Sequence, residues 1–330
     1  MTIRSSWRRG AGLLVVCVLV LAGARAVTWA SPQVDERSPA ATPRHAATRA
    51  RSPRHAATAS RQRARAAADP VVAAAGDVAP DEPGGHDQKT SDQVLAIDPD
   101  AVLALGDEQY PDGALGDFQR YYDATWGRLR DRTRPTPGNH EYETGGAAGY
   151  FGYFGAAARP GGTSWYSFDL GGWHLVSLDA NVDHGAGSPQ ERWLRDDLAA
   201  TGKRCVLAYW HQPRFSSGIE HGNDESVGPF WTDLYQAKAD LVLNGHEHQY
   251  ERFAPQNPDA AADPRGIREF VVGTGGRSLY PFGSADPNSE VRDNSDYGVL
   301  ALTLHPDGYE WRFVSEDGAV VDSGGPVACH

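Results

Sequence analysis

Five short phrases carry side chains suited to gripping a metal ion. They are Gly76-Asp77, Gly106-Asp107-Glu108-Gln109-Tyr110, Gly138-Asn139-His140-Glu141, Tyr209-Trp210-His211 and Gly245-His246-Glu247-His248. Each presents an oxygen or imidazole donor, the mixture of hard carboxylate and borderline nitrogen that first-row transition metals accept. A single Gly-Asp pair carries little information. All five in this order, with 30 residues from Asp77 to Asp107 and 32 from there to Asn139, match the crossover length of successive β-α-β units. The glycine ahead of most of these donors is expected to permit the sharp turn that throws a side chain off a strand end.

Short apolar runs rich in β-branched residues supply the strands: Val71 to Ala75, Ala101 to Leu105, Trp165 to Leu170, His174 to Leu178, Cys205 to Tyr209, Leu241 to Leu243, Phe270 to Val272, Leu300 to Leu304 and Trp311 to Val314. Helical spacing is expected over Phe118 to Leu129, over Pro189 to Ala199 with Ser188 as N-cap, and over Phe230 to Lys238; Asp92 to Ile97 is too short to decide. Strands and helices alternate early and strands with tight turns follow, which predicts a mixed α/β domain whose sheets pack between helical layers. Ligands in such folds bind at the carboxyl ends of strands, where all five phrases lie.

Charge and composition divide the chain. The first 69 residues hold twelve arginines, no lysine and three acids, a net +9, whereas the remainder carries −21. So acidic a body disfavours a nucleic-acid partner. Residues 1–30 read as a secretory signal: Arg4, Arg8 and Arg9 precede an apolar run from Ala11 to Ala24, and Ala24-Arg25-Ala26 or Thr28-Trp29-Ala30 offers a cleavage site. That run is shorter than the ~20 residues a membrane span needs, so no transmembrane anchor is expected after cleavage. Arg8-Arg9 is also compatible with twin-arginine export. Residues 31–69, rich in Ala, Arg, Pro and Ser, read as a disordered linker, and 70–330 as the catalytic domain. Loss of the signal removes Cys17 and leaves Cys205 and Cys329, an even pair suited to one disulfide in an oxidising compartment.

The ordered phrases Gly-Asp, Gly-Asp-x-x-Tyr, Gly-Asn-His-Glu, x-x-His and Gly-His-x-His resemble the calcineurin-type metallophosphoesterases, and the tyrosine resembles the purple acid phosphatase branch. The likeness runs from Val71 to the C-terminal strands and includes Tyr209 to Gly218 and Tyr250-Glu251-Arg252-Phe253. It implies a four-layer α/β/β/α sandwich with two mixed sheets flanked by helices, and a dinuclear metal site. Carried over by position, Asp77, Asp107, Tyr110 and His248 hold the first metal, and Asp107, Asn139, His211 and His246 the second. Two carboxylates and a phenolate suit Fe³⁺; two imidazoles and an amide suit Zn²⁺, Mn²⁺ or Fe²⁺. Outside the tyrosine branch, a histidine two residues after the first aspartate usually serves; here Ala79 stands there, and Tyr110 takes its place.

The activity implied is that of a secreted phosphatase hydrolysing small phosphomonoesters by in-line attack of a metal-bound hydroxide. The alternatives are a phosphodiesterase on the same metals and an inactive metal-binding envelope protein. His140, next to Asn139, is the leading candidate to bind the phosphoryl group or protonate the leaving group, and His221 is the second. Tyr209, Arg214 and Arg252 are read as packing residues and His174 as a satisfied core histidine. His86, His184, His305 and His330 lack ligand-like neighbours. Gly273-Thr274-Gly275-Gly276 reads as a tight turn near the site, and Gly161-Gly162 and Gly171-Gly172 as hairpin turns. Substrate choice is assigned to the loops 142–163 and 215–227.

Overall fold

The computed structural model describes residues 69–83 and 85–330. The signal segment, the linker up to residue 68, the Arg8-Arg9 pair and Cys17 lie outside the described residues. Thirteen strands are present among the described residues: β1 (Val71–Ala75), β2 (Ala101–Leu105), β3 (Thr133–Thr136), β4 (Tyr166–Leu170), β5 (Trp173–Ser177), β6 (Cys205–Tyr209), β7 (Leu241–Asn244), β8 (Tyr250–Phe253), β9 (Arg268–Val272), β10 (Ser289–Asp293), β11 (Gly298–His305), β12 (Gly308–Ser315) and β13 (Val320–Ala328). They form two mixed sheets, one ordered β13-β12-β11-β1-β2-β3 and the other β10-β8-β9-β7-β6-β5-β4. In the first, β1, β2 and β3 run parallel; in the second, β5, β6, β7 and β9 do.

The period-two alternation of a strand sorts its residues between two cores. Cys205, Leu207 and Tyr209 of β6, Leu241 and Leu243 of β7, and Phe270 and Val272 of β9 join the core that also contains β1, β2 and β11. Their neighbours Val206, Ala208, Val242 and Val271 enter a second core with Leu194, Phe230, Trp231 and Leu234, which belong to helices Pro189–Ala200 and Gly228–Gln236. Strands buried on both faces read as continuous apolar runs, which is why β1, β2, β6 and β7 are plain in the sequence. Helix His86–Ile97 carries buried Val94 into the core of the first sheet. Ser188 caps Pro189–Ala200, its side chain accepting from Glu191 N at 3.1 Å.

Several expectations are corrected. The helix expected over Phe118 to Leu129 is a short α-helix, Leu115–Arg120, followed by two 3-10 segments, Tyr122–Ala124 and Trp126–Arg132. Phe118, Tyr122, Trp126 and Leu129 keep their helical spacing and are buried, but Tyr122 N donates to Gln109 Oε1 at 3.1 Å instead of continuing a helical ladder. The undecided stretch Asp92 to Ile97 is the second half of helix His86–Ile97. Gly171-Gly172 does turn the β4–β5 hairpin, whereas Gly161-Gly162 lies in a turn closed by Gly162 N to Arg159 O before β4 and joins no paired strands. Strands β3, β8, β10 and β13 are absent from the sequence reading; β3, β10 and β13 are sheet edges, whereas β8 lies between β10 and β9 and is hidden by the charged Glu251-Arg252 pair within its four residues. Edges tolerate the Pro135, the polar Ser-Glu-Val-Arg-Asp run and the Gly-Gly-Pro of β13 that hide them.

Cys205 and Cys329 form a disulfide with a Cα separation of 5.4 Å, tying the end of edge strand β13 to the start of β6 in the other sheet. Arg204 donates to the carbonyls of Cys329 and His330, and His330 N to Asp240 Oδ1. The bridge spans 124 residues, a separation for which cross-linking limits the unfolded chain strongly. Reduction, or Cys205→Ser with Cys329→Ser, is expected to cost about 2–5 kcal/mol and lower the melting midpoint by roughly 5–15 °C. Calorimetry with and without reductant checks this; an unchanged midpoint would show that the staple contributes nothing.

Candidate metal centre

The carboxyl ends of β1, β2 and β3 from one sheet and of β6 and β7 from the other meet at one end of the sandwich. The sheets are joined there by backbone hydrogen bonds, Gly76 N to Val272 O at 2.9 Å and Gly275 N to Gly76 O at 2.9 Å. Just past these strand ends stand Asp77, Asp107, Asn139, His211, His246 and His248. Three of them adopt left-handed backbone, Asp77 at φ 61°, Asp107 at φ 51° and His246 at φ 71°, a conformation uncommon for residues other than glycine and concentrated at functional sites.

The expected turn-forming role of the preceding glycines is corrected in part. Gly106 has φ 87°, but Gly76, Gly138 and Gly245 are not left-handed. Gly138 and Gly245 serve close approach: a Cβ on Gly138 would lie 2.0 Å from Asp107 Oδ1, and one on Gly245 would lie 2.7 Å from Asp77 Oδ2. The donor residues themselves bend the chain.

Tyr110 Oη lies 2.9 Å from Asp77 Oδ1, 3.0 Å from Asp107 Oδ2 and 3.0 Å from His248 Nε2, and His248 Nε2 is 3.1 Å from Asp77 Oδ1. A second group adjoins it. His211 Nε2 is 3.2 Å from the same Asp107 Oδ2 and 3.2 Å from His246 Nδ1. Asp107 Oδ2 is thus common to both groups. Asp77, Asp107 and His211 also satisfy the spacing of a metal-holding trio. The side-chain oxygen of Asn139 is buried with no hydrogen-bond partner, a costly state for a polar atom that a cation would relieve.

Surrounding groups turn each donor toward the centre. Asp77 Oδ2 accepts from His246 N at 2.8 Å and Asp107 Oδ1 from His140 N at 2.9 Å, which leaves the other carboxylate oxygen of each facing the cluster. The carbonyl of Leu105 takes a hydrogen bond from His211 Nδ1 at 2.8 Å, which turns Nε2 toward the cluster. Ser278 Oγ bonds His248 Nδ1 at 2.8 Å. Buried Glu141 accepts from Asp107 N, Gly138 N and Gln109 N at 2.8, 2.7 and 3.2 Å, clamping the β2 and β3 loops together.

Electrostatics follow from this crowding. Burial, Asp107 and Asp77 push the Tyr110 hydroxyl well above its usual range. Burial also opposes ionisation of Asp77 and Asp107, yet the charge and hydrogen bonds of His248 and His211 more than offset it and hold both carboxyls below the ordinary value. Burial would lower His211, but Asp107 raises it to about 9. Burial, His211 and His221 push His246 down to about 3. A site with this much negative charge and this little water demands positive charge, from protons or from metal.

All nine sequence-predicted site residues are found at this end of the molecule. The His140 ring is partly exposed, centred 4.4 Å from that of Tyr110, with Nε2 3.8 Å from Asp107 Oδ2 and Nδ1 bonded to the carbonyl of Pro111. His221 stacks on His246 at 4.0 Å. Sequence reading did not single out Arg277, Ser278 or Tyr280. The Arg277 guanidinium lies 5.0 Å from the Tyr110 ring centre, and the Tyr280 ring stacks on His248 at 3.9 Å. All three follow Gly273-Thr274-Gly275-Gly276, whose packing against Asp77 was the available signal: a Cβ on Gly273 would come within 2.8 Å of its Oδ2.

The residues read as structural are structural. His174 is bonded to Asp169 and Asp197 at 2.9 and 2.8 Å; Tyr209 is buried against Tyr166 and the Arg134 carbonyl; Arg214 pairs with Glu225, and Arg252 with Glu290 and Asp322. Of the remaining histidines, His86 stacks on Tyr297, His184 bonds the Val182 carbonyl, His305 pairs with Asp69 and His330 with Asp240.

Residues 71–250 match the calcineurin-like phosphoesterase family. Purple acid phosphatase 21 of Arabidopsis thaliana is 32% identical over 242 residues, covering 66% of this chain and 54% of the plant protein. The chain spans about half the length of the curated relatives it matches. Among solved structures, purple acid phosphatase PPD1 from yellow lupin superposes with a TM-score of 0.65 at 22% identity, covering 77% of this chain and 53% of that one. The Plasmodium protein GAP50, described as an anchor in the inner membrane complex, superposes with a TM-score of 0.61 at 16% identity, covering 80% and 90%. These two show a shared fold. The match over more than half of its length, together with the donor order along it, makes this chain a member of the calcineurin-like phosphoesterase family, in its purple acid phosphatase-like branch.

Proposed function

We propose that the protein is a secreted phosphatase that hydrolyses small phosphomonoesters at a dinuclear metal centre. The observation that carries this reading is the double use of Asp107 Oδ2, which lies within 3.2 Å of donors from both groups while the oxygen of Asn139 stays buried and unpaired. Asp77, Asp107, Tyr110 and His248 would hold one cation, suited by its three anionic oxygens to Fe³⁺. Asp107, Asn139, His211 and His246 would hold the other, suited to Zn²⁺, Mn²⁺ or Fe²⁺. Such a pair supplies Lewis acidity toward a phosphoryl oxygen and lowers the pKa of water.

The chain's own residues then have distinct tasks. His140 directs Nε2 toward the donors while the Pro111 carbonyl holds the proton of Nδ1, so Nε2 is the atom from which a leaving-group oxygen would take a proton. His221, stacked on His246, is placed to bind the phosphoryl group from the other side. Tyr280 lies against His248 and Arg277 against Tyr110. Export is supported by the Cys205–Cys329 disulfide and by the arginine-led apolar segment at the N-terminus. Among the described residues no helix is long and apolar enough to cross a membrane.

Three outcomes test this reading. The purified protein should contain about two metals per chain and, with Fe³⁺ bound to the phenolate, absorb visible light. Tyr110→Phe should lose the colour; a colourless protein with two divalent ions would discard the iron assignment alone. Asp107→Ala should lose metal and turnover together, and persistent hydrolysis by that variant would overturn the site. His140→Ala should keep its metal while kcat/KM on an aryl phosphate falls about 10²-fold. A parallel panel of monoesters and diesters separates phosphatase from phosphodiesterase.

A further inference from the structure

Residues 246 to 251 alternate in what they face. His246 and His248 turn toward the donor cluster, and Tyr250 enters the core between the sheets. Glu247, Gln249 and Glu251 all reach one segment, Ser216 to Gly222. Glu251 accepts from Ser217 N at 2.8 Å and Ser217 Oγ at 2.5 Å, and Gln249 Nε2 donates to Ser216 Oγ at 3.1 Å. Glu247 Oε1 accepts from both His221 N at 2.7 Å and Gly222 N at 2.5 Å.

The contact is built for close fit. Glu247 is fully buried, and a Cβ on Gly218 would lie 2.2 Å from its Cδ. The opposite border of the segment is fixed by Gly283 N to Ser217 O at 2.8 Å and by the Gly218–Phe282 bridge. His221 thereby rests with its ring 4.0 Å from that of His246. Two backbone N–H groups converge on one buried carboxyl oxygen, so the position of the His221 backbone depends on Glu247.

We infer that Glu247 is a positioning residue, which holds the backbone of His221 and Gly222 so that the His221 side chain stays against the metal-binding face. The inference rests on the proposed part of His221 in phosphoester hydrolysis. One short stretch of chain then serves two purposes: alternate residues supply metal donors and the clamp for the histidine that approaches the same centre.

The test uses full-length protein and compares Glu247→Ala, Glu247→Gln, Gly218→Ala, His221→Ala and the Glu247→Ala/His221→Ala double variant. Hydrogen exchange followed by mass spectrometry reads the amides of residues 216–223, beside metal content and kinetics. Glu247→Ala should speed exchange there about tenfold or more while metal content is kept, and should lower kcat/KM about 10- to 100-fold. Glu247→Gln, which keeps the acceptor oxygen, should recover most of both. Gly218→Ala, which displaces the carboxylate without removing it, should loosen the segment in the same way, and it carries the test if Glu247→Ala does not fold. The double variant should be no slower than His221→Ala. Unchanged exchange in both Glu247→Ala and Gly218→Ala overturns the clamp, as do losses that simply add in the double variant. Full activity in His221→Ala instead overturns the hydrolytic role of His221, and the exchange data still decide whether Glu247 holds the segment.

Discussion

The Oδ2 oxygen of Asp107 is the point on which the structure turns. It lies 3.0 Å from the Tyr110 oxygen and 3.2 Å from His211 Nε2, so one carboxylate oxygen belongs to two donor groups at once. That arrangement is expensive without compensating positive charge. Like charges crowd together, three donor residues take left-handed backbone at a cost of about 1–3 kcal/mol each, and an amide oxygen is left without a partner. The rest of the domain over-determines the geometry. Glu141 draws the β2 and β3 loops together, Leu105 orients the His211 ring, and backbone bonds join the strand ends of the two sheets.

Because the donors come from both sheets, the packing between sheets is itself part of the centre. Sliding one sheet on the other by a side-chain width would separate Asp77, Asp107, Tyr110 and Asn139 from His211, His246 and His248. Two devices resist it. The alternating residues of β6, β7 and β9 fill the space against β1, β2 and β11, and interiors packed at crystal density transmit displacement instead of absorbing it. At the opposite ends of these strands the Cys205–Cys329 bridge ties β13 to β6. The sandwich is closed covalently at one end and by its donor cluster at the other.

What was legible in the sequence follows from the same physics. A donor thrown off a buried parallel strand leaves a signature of apolar run, glycine and ligand, which made Asp77, Asp107, His246 and the central strands readable, while the other candidate donors and His140 came from the family resemblance. Edges leave no such signature: Pro135 in β3 and the polar run of β10 are tolerated because one side needs no ladder partner. Residues that act through the fold were also hidden. Glu141 and Glu247 stood inside quoted phrases, but only the folded chain shows that Glu141 gathers three backbone N–H groups and Glu247 two. Arg277 and Tyr280 reach the site from 29 and 32 residues beyond His248, through a turn whose glycines signal only that something packs closely there.

The net charge of the body, −21 over residues 70–330, sets a condition on any anionic substrate. Salt at physiological strength screens charges beyond about 8 Å, so the distant acids act weakly on a phosphate at the donor cluster. The near field decides. Two buried carboxylates repel a phosphate unless cations outweigh them; in the proposed centre a trivalent and a divalent ion against three anionic donors would leave about two positive charges where a phosphoryl group would bind. On the proposed reading, phosphate affinity would be acquired with the metals.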